Sequence, residues 1–195
     1  MILHIFNNLI YVHNNIKLTA FEPFRSRFNN GVENLIIQHD LKKNIDTSQI
    51  GNALSTVTVP YALFTIPGYK ELIEDITPFV GIALDKLNYK SSNYSINRSW
   101  VNIMFEGCIG KSHIHDNKGP VFIFYLECPD DSGSFVVINS QTIGCTDSEF
   151  LEKDKYSIKP FQNMLIGHGE YINHTITKHN SKQRRMCLVI ELVDV

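Results

Sequence analysis

The sequence predicts a mainly β fold of sandwich or barrel type, with helices gathered ahead of it, and three observations carry that prediction. Past residue 90, seven short β-like segments follow one another with no helical pattern between them: 94–106, 121–127, 134–139, 156–159, 163–167, 172–177 and 186–193. Turn-rich clusters at 107–110, 116–119, 129–133 and 178–182 punctuate them. The 195 residues are 43% hydrophobic, ample for one buried core. Many short strands at such spacing form a jelly-roll type of sandwich or barrel.

The first 90 residues read differently. Short β-like runs occur at 2–6, 9–12 and 55–59. Val32, Leu35, Ile36 and His39 recur at helical spacing after Asn29-Asn30-Gly31, a turn-like triplet expected to precede the helix. A second helix is expected from near Gly68 through Leu72, Ile73 and Ile76. Pro78 should divide it, with Thr77 capping a new helix over 79–87. No repeat, low-complexity tract or linker is visible. The expectation is therefore a single domain over 1–195, with 1–90 a mixed α/β support for a β core at 91–195.

Charge and cysteine usage narrow the function. Eighteen Lys and Arg against twenty Asp and Glu leave a net charge of -2. That balance argues against a nucleic-acid partner, which is normally gripped through a basic excess. Cys108, Cys128, Cys145 and Cys187 form no CxxC pair and read as thiols in a reducing compartment. The apolar start is broken by His4, Asn7 and Asn8, unlike a signal peptide, and no run is long enough for a membrane span. A cytoplasmic protein with no membrane partner is expected.

The chemistry points to histidine. In His113-Ile114-His115 an extended backbone turns both imidazoles to one face. His174, in the later segment Asn173-His174-Thr175-Ile176, can be brought beside them by a jelly roll. Two ligands from one strand end and a distant third make a facial metal site with open positions, and imidazole suits iron, zinc, copper or nickel. Asp116 follows in the turn. His168 reads as a loop residue near the mouth of such a site, and Trp100, Phe105 and Phe124 read as core. His4, His13, His39 and His179 have no partner at metal-binding spacing.

The order of these features resembles the 2-oxoglutarate/Fe(II)-dependent oxygenases, and within them a branch of small phage and bacterial proteins related to prolyl hydroxylases. The residues carrying the resemblance are Ser99-Trp100-Val101-Asn102, Gly107 to Gly110, His113-Ile114-His115, Phe124-Tyr125-Leu126-Glu127-Cys128-Pro129, His174-Thr175-Ile176 and Arg184-Arg185 before Met186-Cys187-Leu188. It covers roughly residues 95–193.

The resemblance implies a double-stranded β-helix core and a dioxygenase that uses Fe(II), 2-oxoglutarate and dioxygen. Its product would be a hydroxylated protein, peptide or small molecule. His113 and His174 would bind iron. Where the family writes Asp or Glu, this chain has His115, so either His115 completes three histidines or Asp116 swings in; the i+2 position favours His115. Arg185 would anchor the far carboxylate of 2-oxoglutarate with its two-donor fork, helped by Asn102 and Tyr125, while Arg184 faces outward. Cys187 stands where Ser or Thr often adds a further contact. Substrate choice would lie with loops at 14–30 and 107–112. Two other readings remain: a cupin, whose first motif Gly107 and His113-Ile114-His115 open but whose glutamate is missing, and a non-enzymatic phage or bacterial structural jelly roll.

Overall fold

A computed structural model describes residues 1–39, 53–115, 119–139 and 152–195. Among them the chain forms β1 (Ile2–Ile5), β2 (Asn8–His13), α1 (Arg25–Gln38), β3 (Leu54–Ser55), α2 (Tyr69–Lys86), β4 (Tyr94–Met104) and β5 (Gly110–His113). Six further strands follow: β6 (Val121–Glu127), β7 (Phe135–Ile138), β8 (Lys155–Ile158), β9 (Leu165–His168), β10 (His174–Ile176) and β11 (Arg185–Asp194).

Two sheets face each other, the larger in the order β1-β2-β9-β6-β11-β4-β3 and the smaller in the order β5-β10-β7-β8. This interleaving of successive strands between two antiparallel sheets is the jelly-roll, or double-stranded β-helix, arrangement. Trp100, Ile123, Ile166 and Val189 of the large sheet pack on Phe135, Val137 and Ile158 of the small one. On the other face, Val101, Phe122, Phe124, Leu165 and Leu188 meet the helices through Phe28, Val32, Leu72 and Ile76. Both faces of the large sheet are thus covered, which is why β6 and β11 read as continuous apolar runs. The division at residue 90 is one of chain order alone, since β1, β2 and β3 hydrogen-bond into the same sheet as the later strands.

The helices depart from the sequence reading. Asn29-Asn30-Gly31 is no turn but the second turn of α1, which starts at Arg25. Gly31 is there for closeness: a Cβ would lie 2.5 Å from Ile66 Cγ2. Asn29 Nδ2 donates to Glu127 Oε1 at 2.6 Å, so a residue of turn-like type instead ties the helix to β6. Pro78 does not divide α2, which continues through it. The carbonyl deprived of its partner is that of the exposed Glu74, where water can serve it. Thr77 caps nothing; its hydroxyl donates back to Ile73 O at 2.7 Å. The strand expected at 55–59 shrinks to Leu54–Ser55 at the sheet edge. Phe105, expected in the core, is 46% exposed just beyond the end of β4.

Candidate metal centre

β5 and β10 are adjacent antiparallel strands of the small sheet, and His174 pairs directly opposite His113. That register brings the two rings to 4.4 Å between centroids. β5 ends at His113, but the chain carries His115 back over the same site, its ring 5.1 Å from His113 and 5.2 Å from His174. One ring nitrogen from each of the three lies within 4.8 Å of the others. Asp116, the alternative ligand, lies outside the described residues, as does Cys145.

Hydrogen bonds settle which nitrogen each ring presents. Nδ1 of His113 faces Lys111 O at 2.9 Å, and Nδ1 of His174 faces Ile172 O at 3.0 Å. Nδ1 of His115 faces Glu191 Oε1 at 2.6 Å. Carbonyls and carboxylates only accept, so each Nδ1 carries the proton and each Nε2 keeps the lone pair that a metal needs. Burial holds His113 below the ordinary histidine range and His174 well below it. Those two imidazoles stay neutral, the state in which they ligate.

A fourth imidazole adjoins them. His168 is not in a loop: it ends β9, fully buried, paired with Val121 on one side and Ile10 on the other. Gly167 lets the ladder run on to His168, since a Cβ there would meet the Phe122 ring at 2.6 Å. The His168 ring lies 4.8 Å from His174 and 5.9 Å from His115. Burial pushes its pKa down to about 3; its Nδ1 donates to Gly169 O at 2.8 Å, and its Nε2 has no partner.

The histidines open on a cavity between the sheets, lined also by Trp100, Asn102, Cys187 and Glu191. Trp100, expected as plain core, has a buried Nε1 with no partner, and Asn102 Oδ1 is likewise unmet. Arg185 and Tyr125 do not line this cavity. They lie beyond it, where Arg185 is fully buried with its guanidinium 4.9 Å from the centre of the Tyr125 ring. Arg185 Nη1 donates to Ser132 O at 3.1 Å, while Nε, Nη2 and the Tyr125 hydroxyl find no partner. Burial raises the Tyr125 phenol above its ordinary range. Arg184 points to the other face of the sheet, its Nε donating to Glu127 Oε2 at 2.6 Å and its Nη1 paired with Glu33. No residue of 14–30 lines the cavity; of the expected 107–112 loop only Gly110 does, and it already begins β5.

Of nine buried side-chain atoms left without a hydrogen bond among the described residues, six belong to Trp100, Asn102, Tyr125, His168 and Arg185, all between the sheets. Native interiors leave few such groups unmet, so their gathering in one place marks a site shaped for a polar ligand. They also form a line. Across the ladder Trp100 stands opposite Val189, and Asn102 and Tyr125 flank Cys187 on either side, leading from the histidines to Arg185.

Glu191 and Arg98 escaped the sequence reading. Glu191 is fully buried on the inward alternation that begins Arg185, Cys187, Val189, and Arg98 Nη2 donates to its Oε1 at 3.2 Å. Counting in twos from Arg185 would have found it.

Fold and site together define a jelly-roll protein with a three-histidine metal-site geometry. No protein-family model matches the sequence, and no curated protein is significantly similar to it. Solved structures do resemble the fold. The non-heme alpha-ketoglutarate-dependent carbocyclase SnoK from nogalamycin biosynthesis aligns over 95% of this chain and 80% of its own, with a TM-score of 0.65 and 11% identity. A Pseudomonas putida prolyl-4-hydroxylase aligns over 95% of this chain and 92% of its own, at 0.63 and 10%. A 2OG-Fe(II) oxygenase family member from Burkholderia pseudomallei is 18% identical with a TM-score of 0.49, covering 65% of this chain and 58% of that one. The fold is that of the 2-oxoglutarate-dependent oxygenases.

Proposed function

We propose that this protein is a 2-oxoglutarate- and Fe(II)-dependent dioxygenase that hydroxylates a protein, peptide or small molecule. The observation that carries the reading is the line of unmet polar groups from the histidine cavity to Arg185. An elongated dicarboxylate has the shape to follow it and the acceptors to meet its donors, the Trp100 Nε1, the Tyr125 hydroxyl and the Arg185 nitrogens. A cupin or an inert jelly roll has no use for a fully buried guanidinium with two N–H-bearing nitrogens unpaired.

In this reading, Nε2 of His113, His115 and His174 would hold the metal. Arg185 would receive the far carboxylate of the cosubstrate as a charge-assisted pair, with Tyr125 and Asn102 beside it. When bound, iron(II) would supply dioxygen activation coupled to oxidation of 2-oxoglutarate to succinate and carbon dioxide. The protein contributes orientation and a dry interior: the Val189, Ile123 and Trp100 side chains flank the cavity and exclude water. The free thiols of Cys128 and Cys187 suit a reducing, cytoplasmic setting, and no helix among the described residues is long and apolar enough to cross a membrane.

The test is turnover. Purified protein with Fe(II), 2-oxoglutarate and oxygen should form succinate, even without its substrate, in slow uncoupled cycles. Iron-loaded protein that neither binds 2-oxoglutarate nor forms succinate overturns the proposal.

A further inference from the structure

The oxygenases this chain resembles bring a carboxylate to the metal itself, at the position occupied here by His115. We infer that the missing charge has been moved back by one residue, to Glu191, which acts on the metal through the His115 ring. The inference rests on the proposed metal centre and concerns how this chain equips it.

Four imidazoles meet at the site, and three of them, His113, His168 and His174, give their Nδ1 proton to backbone carbonyls. Only His115, among the described residues, gives it to a carboxylate. The exception falls on the ring that replaces the acid. A carboxylate behind an imidazole fixes its tautomer, aims Nε2 and raises its basicity, and such partners commonly matter 10- to 100-fold in metal affinity.

Glu191 is well placed for this task. It is fully buried, where an unpaired carboxylate would be costly, and it takes donors on both oxygens. His115 Nδ1 reaches Oε1; Arg98 reaches Oε1 through Nη2 and Oε2 through Nε. Both oxygens are thus engaged as acceptors, which fixes the carboxylate behind the ring. Arg98 stands directly opposite Glu191 on β4 and lies over the Trp100 ring at 5.3 Å, so the clamp is itself fixed by packing. Immediately after Glu191 the β11–β4 register shifts, the kind of irregularity that re-aims a side chain at a site. Glu191 is thus a positioning residue that also carries charge, and the three-histidine set keeps its carboxylate at one ring's remove.

Anaerobic chelator competition with Fe(II) and Co(II) tests this in the parent, Glu191→Gln, Glu191→Asp, His115→Asp and the double variant His115→Asp/Glu191→Gln. The expected result is a 10- to 100-fold loss of affinity in Glu191→Gln, with a changed Co(II) ligand-field spectrum, and partial recovery in Glu191→Asp, which keeps the charge on a shorter arm. In the His115→Asp background the sign should reverse. Glu191→Gln should there hold or raise affinity, because two carboxylates no longer face each other. Parental affinity in Glu191→Gln, or the same loss in both backgrounds, overturns the inference. Should Glu191→Gln fail to fold, Glu191→Asp decides: the shorter arm should weaken affinity severalfold, and parental affinity overturns the inference. Absence of metal binding in the parent overturns the metal centre itself, a separate outcome.

Discussion

The sharpest consequence of the structure concerns two consecutive arginines with opposite surroundings. Arg185 is fully buried and meets no carboxylate among the described residues; its single hydrogen bond goes to Ser132 O. Arg184 is a quarter exposed and pairs with Glu127 and Glu33 across the helix-facing side. Arg185→Leu should leave metal binding intact and weaken 2-oxoglutarate binding by the worth of a buried charge-assisted pair, about 2–5 kcal/mol. At about 1.4 kcal/mol per decade, that is roughly 30-fold to several thousand-fold. The same change should cost little stability, because replacing a buried charge by an apolar side chain of similar volume is often neutral or stabilising. Arg184→Leu should behave in reverse. It breaks partly exposed ion pairs worth about 1 kcal/mol or less each, lowers the melting temperature slightly and leaves cosubstrate affinity unchanged. Titrating 2-oxoglutarate into the anaerobic iron complex, followed by its charge-transfer absorption, measures affinity; thermal denaturation measures the rest. Parental affinity in Arg185→Leu refutes the anchor. Loss in Arg184→Leu instead would mean the register of β11 is off by one and every inward residue after it is misassigned.

Other perturbations follow from the same geometry. His113→Ala, His115→Ala and His174→Ala should each abolish stable iron binding while the far-ultraviolet dichroism stays parental; full metal occupancy in any of them removes that residue from the site. Gly31→Ala should destabilise by about 1–3 kcal/mol in chemical denaturation, because its Cβ would fall 2.5 Å from Ile66 Cγ2. Pro78→Ala should raise the melting temperature, since an exposed helix position regains an N–H donor to the Glu74 carbonyl; a drop would mean the proline stabilises α2 in some other way.

Much of the fold was legible because its signals are local. Alternation and turn clusters located β4 and β6 to β11, and the jelly roll followed from their number and spacing. His113, His115 and His174 could be named because an HxH pair on an extended chain is visible without knowing what it packs against. The misreadings share one cause, tertiary contact overriding local type. Asn29 and Gly31 look like a turn until Glu127 and Ile66 are placed against them. Pro78 looks like a helix end until the carbonyl it strands proves to be in water. His168 looks like a loop residue between glycines because the close Phe122 ring that needs Gly167 lies far off in sequence. Glu191 and Arg98 were hidden differently. Each is a lone charge in or beside a strand, and only the pairing of β11 with β4 sets them opposite one another and behind His115.

Cosubstrate binding and turnover both depend on a metal held by the three imidazoles. Protein purified anaerobically and supplied with Fe(II) should retain equimolar iron after desalting, gain a charge-transfer band on adding 2-oxoglutarate, and lose both in His174→Ala. A folded parent protein that retains no iron and shows no band would contradict it.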